Sequence, residues 1–533
     1  MSLNMSVGDN VDADLIALAM HKLTIGNSDI VDVLSSCNIY LNQLNRSDLH
    51  QSANLINLNL IFDCLNTTNK EQIENCCLMF KKLFSVLSSN QVFNKYSLSI
   101  ERSLHHPDNI VKSTVLAELE KLLMNDNNID LPLILICTLV DCLSNSDVSV
   151  SFRAVKCLKQ LKCDEILSSP QILSKIRTLM QTNSEIRARI YDILVDWSMS
   201  VDALALISSK GLFSSLIPDI TNPDIMMQMV TIQLLVSLGI TDHGFDYLNS
   251  VGIIRGLYRL LSSSPEELNN LSTAILNPII LEFFIQIALI KPQLIYISYP
   301  KVFTVIYEIM NENDGLLVNV ATNSIKVLAS SWECKLSLDI PAPKLMIDQY
   351  QGKGELDIWS LFIEKLNNIV SGTKTECKAS AIKAIVKIIQ IENEEICSRN
   401  DMIARTKKWY KQLTNDPFKN IIYKSCSLPF LDIQEAGYEM LLKLSEQPWG
   451  QEEINNFPLI MDLVLKPHHS DDYINVKTLK QQIVKTLLES ETSRDILSED
   501  LILRIHNFSY TQMKTNVNTT SSEPGMLVED MPQ

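Results

Sequence analysis

Four segments of the chain share one arrangement of polar and apolar positions. In each, a polar turn carrying an acidic residue is followed by apolar residues at i, i+4 and i+8. The first is His106-Pro107-Asp108, followed by Val111, Val115 and Leu119. The second is Asn145-Ser146-Asp147, with Val150, Ala154 and Leu158, and the third Asn183-Ser184-Glu185, with Ile186, Ile190 and Leu194. The fourth is Asn222-Pro223-Asp224, with Met226, Val230 and Leu234. The leading positions 111, 150, 186 and 226 are 39, 36 and 40 residues apart.

Residues at i, i+4 and i+8 lie along one face of a helix. Asp or Asn in the turn caps the free N–H groups of the first helical turn, and Pro suits that turn as well. A second helix precedes each turn, as in Leu131–Leu143 and Ile172–Met180. One helical hairpin cannot cover its own apolar face, whereas stacked hairpins can. The pattern therefore predicts an all-α solenoid of HEAT/armadillo-type repeats, with about ten to twelve hairpins of 35–45 residues. Val111, Val150, Ile186 and Met226 are expected at buried contacts between repeats.

Weaker copies of the pattern extend it in both directions. Cys76, Phe80 and Phe84 precede it, and Leu317/Ala321/Ile325, Cys377/Ala381/Ile385 and Ile433/Gly437/Leu441 follow. The array is read over residues 13–510, with a loop at 331–354 marked by two prolines, two glycines and charge. Residues 1–12 and 516–533 are polar and poor in apolar side chains, and are expected to be disordered tails.

Composition supports the array. A chain of 533 residues exceeds a single core, and its 14 glycines and 18 prolines are few for a turn-rich sheet protein. The net charge of −16, from 46 basic and 62 acidic residues, disfavours general nucleic-acid binding. The longest apolar runs, Leu131–Val140 and Ile279–Ile290, are too short or too interrupted to span a membrane. Twelve cysteines, no Cys-x-x-Cys pair and no basic-then-apolar leader read as reduced core thiols in a cytoplasmic or nuclear protein.

Catalytic constellations are missing from the sequence. It holds no phosphate-binding Gly-rich loop, no dinucleotide fingerprint and no Gly-x-Ser-x-Gly elbow. His468-His469 before Asp471 and Asp472 could hold a metal weakly, but reads better as a solvated loop. Arg405, Lys407, Lys408 and Lys411 around Trp409 and Tyr410 could stack on nucleic acid, but read better as a solvated basic face with Trp409 packed inward. Phe283-Phe284 reads as inter-repeat core rather than a ligand pocket. The expectation is a non-enzyme without metal or cofactor.

Several separated stretches carry a family likeness: His106-Pro107-Asp108 with Val111-Lys112; Met180-Gln181-Thr182-Asn183 with Ile186-Arg187 and Tyr191; and Ser237-Leu238 with His243-Gly244, Tyr247-Leu248 and Gly252. Asp416-Pro417, Leu428-Pro429-Phe430 and Gln447-Pro448-Trp449 continue it. In this order, over roughly residues 100–510, the chain resembles the 26S proteasome non-ATPase regulatory subunit 5 family. The likeness fades at the N-terminus, around 331–354 and after Tyr510. The resemblance implies a non-enzymatic helical-repeat chaperone for assembly of the base of the 26S proteasome regulatory particle. It also implies a partner, the C-terminal domain of one AAA ATPase subunit, regulatory subunit 7. A transport or signalling adaptor built on the same repeats is the alternative, and an enzyme the third.

The partner-binding surface is expected on the helix after each acidic turn, which lines the concave side of such arrays. With i, i+4 and i+8 facing the core, another stripe faces the groove. It comprises Arg153, Lys156 and Gln160 in the second repeat, Arg189, Asp192 and Asp196 in the third, and Met229, Ile232 and Val236 in the fourth. That face would be charged on one side and apolar on the other.

Overall fold

The polar turns start helices by capping. In the computed structural model, which describes residues 30–125, 131–222, 224–261, 271–312, 314–342, 357–372, 375–391, 398–466 and 473–520, Asp108 accepts the Ile110 N–H at 2.8 Å. Asp147 accepts from Ser149 N–H at 2.8 Å, Asn183 from Glu185 N–H at 2.8 Å, and Asp224 from Met226 N–H at 3.0 Å. Each contact satisfies a donor that the first helical turn leaves without an intrahelical acceptor.

The helices that follow these turns stack in sequence. In the first compact unit, up to Ile253, they are α1 (Ile30–Gln43), α2 (Lys70–Phe84), α3 (Asn109–Asn125), α4 (Val148–Lys159), α5 (Ser184–Trp197) and α6 (Ile225–Gly239), each packed on the next. A second layer, including Ser89–Leu104, Leu133–Cys142 and Pro170–Thr182, pairs with α3, α4 and α5. The second unit, from Ile254, repeats the arrangement with α7 (Leu271–Ile290), α8 (Gly315–Leu328), α9 (Lys378–Ile389), α10 (Leu431–Ser445), α11 (Ile474–Glu489) and α12 (Glu499–Thr520). Among the described residues the only β-type pairing is an isolated bridge between Pro341 and Asp357.

The i, i+4, i+8 positions fill the core in most repeats. Val111, Val115, Leu119, Val150, Ala154, Leu158, Ile186, Ile190 and Leu194 are buried, as are Cys76, Phe80, Phe84, Cys377, Ala381, Ile385, Ile433 and Leu441. Leu317 is half-buried at the start of α8, while Ala321 and Ile325 are fully enclosed.

The fourth repeat departs from its expected frame by one residue. Met226 is 67% exposed, whereas Met227, Thr231 and Leu235 are buried. The cap sets this frame. Val111, Val150 and Ile186 each lie three residues after their capping residue, and the third residue after Asp224 is Met227. The stretch Ile225–Val236 holds no charged residue, so its periodicity could not indicate which side faces the core.

The second unit is centred on aromatic side chains. Trp332 stacks near Trp409 with ring centroids 6.2 Å apart, Trp359 lies 6.1 Å from Trp409, and Tyr410 lies 4.8 Å from Trp449. Trp409 therefore faces inward, as expected, and Tyr410 does so too. Phe283 and Phe284 are enclosed as well, edge to face at 5.4 Å. The 331–354 segment opens with a short helix, Trp332–Ser337, and its residues 343–354 lie outside the described residues. Of the two expected tails, 1–12 and 521–533 also lie outside, and α12 continues through residue 520.

Candidate partner-binding face

The solvent side of α3, α4 and α5 carries a ladder of charges. Glu120 of α3 accepts from Lys156 at 3.1 Å and from Arg153 at 3.4 Å, both on α4. Lys159 of α4 reaches across to α5, 2.8 Å from Asp192 and 3.8 Å from Asp196. Arg189 turns back toward the preceding turn and donates to the carbonyls of Leu143 at 2.7 Å and Asn145 at 3.4 Å. Of the six expected residues of the second and third repeats, Arg153, Lys156, Asp192 and Asp196 are thus drawn into ion pairs across these helices, and Gln160 is exposed at the end of α4. Arg189 is occupied in holding the turn.

The three expected residues of the fourth repeat are not on that face. Ile232 is fully buried, and Met229 and Val236 are half-buried. The one-residue frame shift is the cause. The positions of α6 equivalent to Arg153, Lys156 and Gln160 are Val230, Gln233 and Ser237, of which Gln233 and Ser237 are exposed. The apolar side expected for the groove is therefore a polar one at this helix.

Sequence reasoning passed over the aromatic residue of this face. Phe152 is 55% exposed, and the Lys156 ammonium lies 4.9 Å from its ring centroid. Its place five residues after the cap Asp147, off the buried stripe, is the signal that would have found it.

Three of the residues that carry the family likeness hold hairpins together. His106 receives the Asp108 N–H on Nδ1 at 3.0 Å, so its Nε2–H donates to the Leu65 carbonyl at 3.0 Å. His243 Nε2 lies 2.9 Å from the Ser198 carbonyl. Gln447 accepts from the Thr406 hydroxyl and the Trp449 indole N–H, both at 2.7 Å, and donates to the Ile389 carbonyl at 2.8 Å. Buried polar groups gain full value only when every partner is present, as here.

Three of the four basic residues around Trp409 are paired within the fold, and Lys411 is exposed. Arg405 pairs with Asp339, Lys408 lies 3.3 Å from Asp357, and Lys407 lies 3.2 Å from Glu452. Burial raises the thiols of Cys142 and Cys163 to about 11 and that of Cys334 to about 12, far from a nucleophile's range. Among the described residues no group of three or more His, Cys, Asp or Glu is placed to hold a metal. His468, His469, Asp471 and Asp472 lie outside them. No described helix is long and apolar enough to cross a membrane.

Stacked two-helix repeats joined by capped turns define a HEAT/armadillo-type helical-repeat protein. Yeast importin-beta (Kap95p) shares the fold, with a TM-score of 0.53 at 11% identity over 90% of this chain and 64% of its own. A family described as "Proteasome non-ATPase 26S subunit" matches residues 16–524, so the chain belongs to that family. The 26S proteasome non-ATPase regulatory subunit 5 of Bos taurus is 24% identical over 476 residues, spanning 87% of this chain and 89% of that protein. Its counterpart in Homo sapiens is 23% identical over 475 residues, with the same shares. That of Drosophila melanogaster is 21% identical over 448 residues, spanning 82% and 84%.

Proposed function

We propose that this chain is an assembly chaperone for the base of the 26S proteasome regulatory particle. It binds the C-terminal domain of one AAA ATPase subunit, regulatory subunit 7, and leaves before the particle is complete. The observation that carries this reading is the family match along nearly the whole chain, residues 16–524. The repeat fold supports it, because stacked hairpins offer an extended surface for a folded partner. In this reading the protein is a non-catalytic scaffold that works in the cytoplasm or nucleus.

A transport adaptor fits less well. Such adaptors present arrays of Trp and Asn on the inner helices, whereas all five tryptophans of this chain are buried. The test is affinity capture of the full chain from lysate, with sedimentation of the captured complexes. Base ATPases in incomplete particles are the expected catch. Stoichiometric co-sedimentation with finished, active proteasomes would overturn the chaperone role.

A further inference from the structure

The charges around Phe152 do not cancel locally. Arg153 and Lys156 share one carboxylate, Glu120, which leaves one positive charge in excess beside the ring. Asp192 and Asp196 share one ammonium, Lys159, which leaves one negative charge in excess on the neighbouring helix α5.

The ring itself is 55% exposed, with the Lys156 ammonium 4.9 Å from its centroid. The adjoining helices carry small residues at the equivalent positions. Ser113 of α3 touches Ser149 of α4 at 3.3 Å, and one turn further along α3 is Ala117. On α5 the residue equivalent to Phe152, five after the cap, is Ala188. A single exposed apolar side chain is ordinary on a protein surface. This one differs because the ion pairs hold its helix against both neighbours, with opposite charge to either side. An aromatic centre with a polar rim is the composition of an interface hot spot.

We infer that the face of α4 centred on Phe152 is the docking site for a folded partner domain of matching polarity. The partner places an apolar side chain on the Phe152 ring, a carboxylate against Arg153 and Lys156, and a basic side chain against Asp192 and Asp196. The polarity fixes the direction in which the partner lies, since the reversed orientation would oppose like charges at both ends. This inference rests on the chaperone reading for the identity of the partner.

The experiment measures affinity of the full chain for purified C-terminal domains of the base ATPases, at low and high salt. Phe152→Ala and Phe152→Glu are expected to keep the wild-type melting temperature and to weaken binding by roughly thirtyfold or more, the scale of a hot spot. Lys156→Glu and Asp196→Lys should each weaken binding at low salt, with the loss shrinking at high salt. Phe430→Glu alters a comparably exposed ring, 49% accessible in the second unit, and should bind normally. Wild-type binding by both well-folded Phe152 variants would overturn the docking site alone. Failure of the wild-type chain to bind any base ATPase domain would overturn the chaperone reading and this inference with it.

Discussion

Arg187 and Asp219 meet side-on through two hydrogen bonds of 2.8 Å, which tie α5 to the short helix Leu216–Ile220. The same carboxylate accepts the Tyr191 hydroxyl at 2.8 Å, and Arg187 also donates to the Met180 carbonyl at 3.0 Å. Asp219 is only 3% exposed, so its charge depends on these partners. Asp219→Ala would leave Arg187 and Tyr191 without their acceptor and should cost about 3 kcal/mol. Chemical denaturation of the variant against wild type checks this, and a loss below about 1 kcal/mol would mean the network is not structural.

Two glycines should respond in opposite ways to alanine. A Cβ on Gly450 would lie 2.1 Å from the Leu444 carbonyl oxygen, so Gly450→Ala must displace backbone and should cost roughly 1–3 kcal/mol. Gly256 lies in the helix Ile253–Leu260 with nothing within 4 Å of such a Cβ. Gly256→Ala should stabilise by about 0.5–1 kcal/mol through a less flexible unfolded chain. Thermal melts of the two variants should therefore move apart, and melts moving together would contradict the packing at Leu444.

The frame of α6 is tested by neighbouring residues. Ile232 is fully enclosed, so Ile232→Asp should destabilise by more than about 3 kcal/mol by burying an unpaired carboxylate. Gln233 is exposed, and Gln233→Asp should change stability by no more than about 0.5 kcal/mol. The alternative frame, with Met226 inward and Ile232 outward, requires the reverse ranking in the melts.

Lys480 supplies a pH signature. The residue is 4% exposed, and its ammonium donates to the Leu463 carbonyl at 2.6 Å and the Lys466 carbonyl at 3.1 Å and lies 5.1 Å from the Tyr438 ring centroid. Burial pushes its pKa down to about 8 from 10.5, partly opposed by Cys426 and reinforced by Lys466. Between these values the unfolded chain holds a proton that the folded chain has lost, so this group makes stability rise with pH. Below about 8 both states are protonated and the contribution is flat. The difference in melting temperature between wild type and Lys480→Met should therefore grow in favour of wild type as pH rises above 8. A difference that stays constant or shrinks would rule out a depressed lysine.

The sequence by itself determined the helices, their capped starts and most of the buried stripe, because these depend on neighbours within a turn or two. Asp147 and Val150 need only three residues of helix to be related. It also determined the family, through residues such as Arg187, His243 and Gln447, whose contacts hold the hairpins together. Tertiary packing decided how far each helix is rotated about its axis and which charges meet across the stack. Glu120 reaches Lys156, Asp192 reaches Lys159, and Ile232 turns inward while Gln233 turns out. In α6, where every residue from Ile225 to Val236 is uncharged, local pattern leaves the rotation undetermined, and only the cap and the neighbouring helices set it. Phe152 is likewise a tertiary outcome: with helices packed on either side of α4, its ring is left 55% exposed.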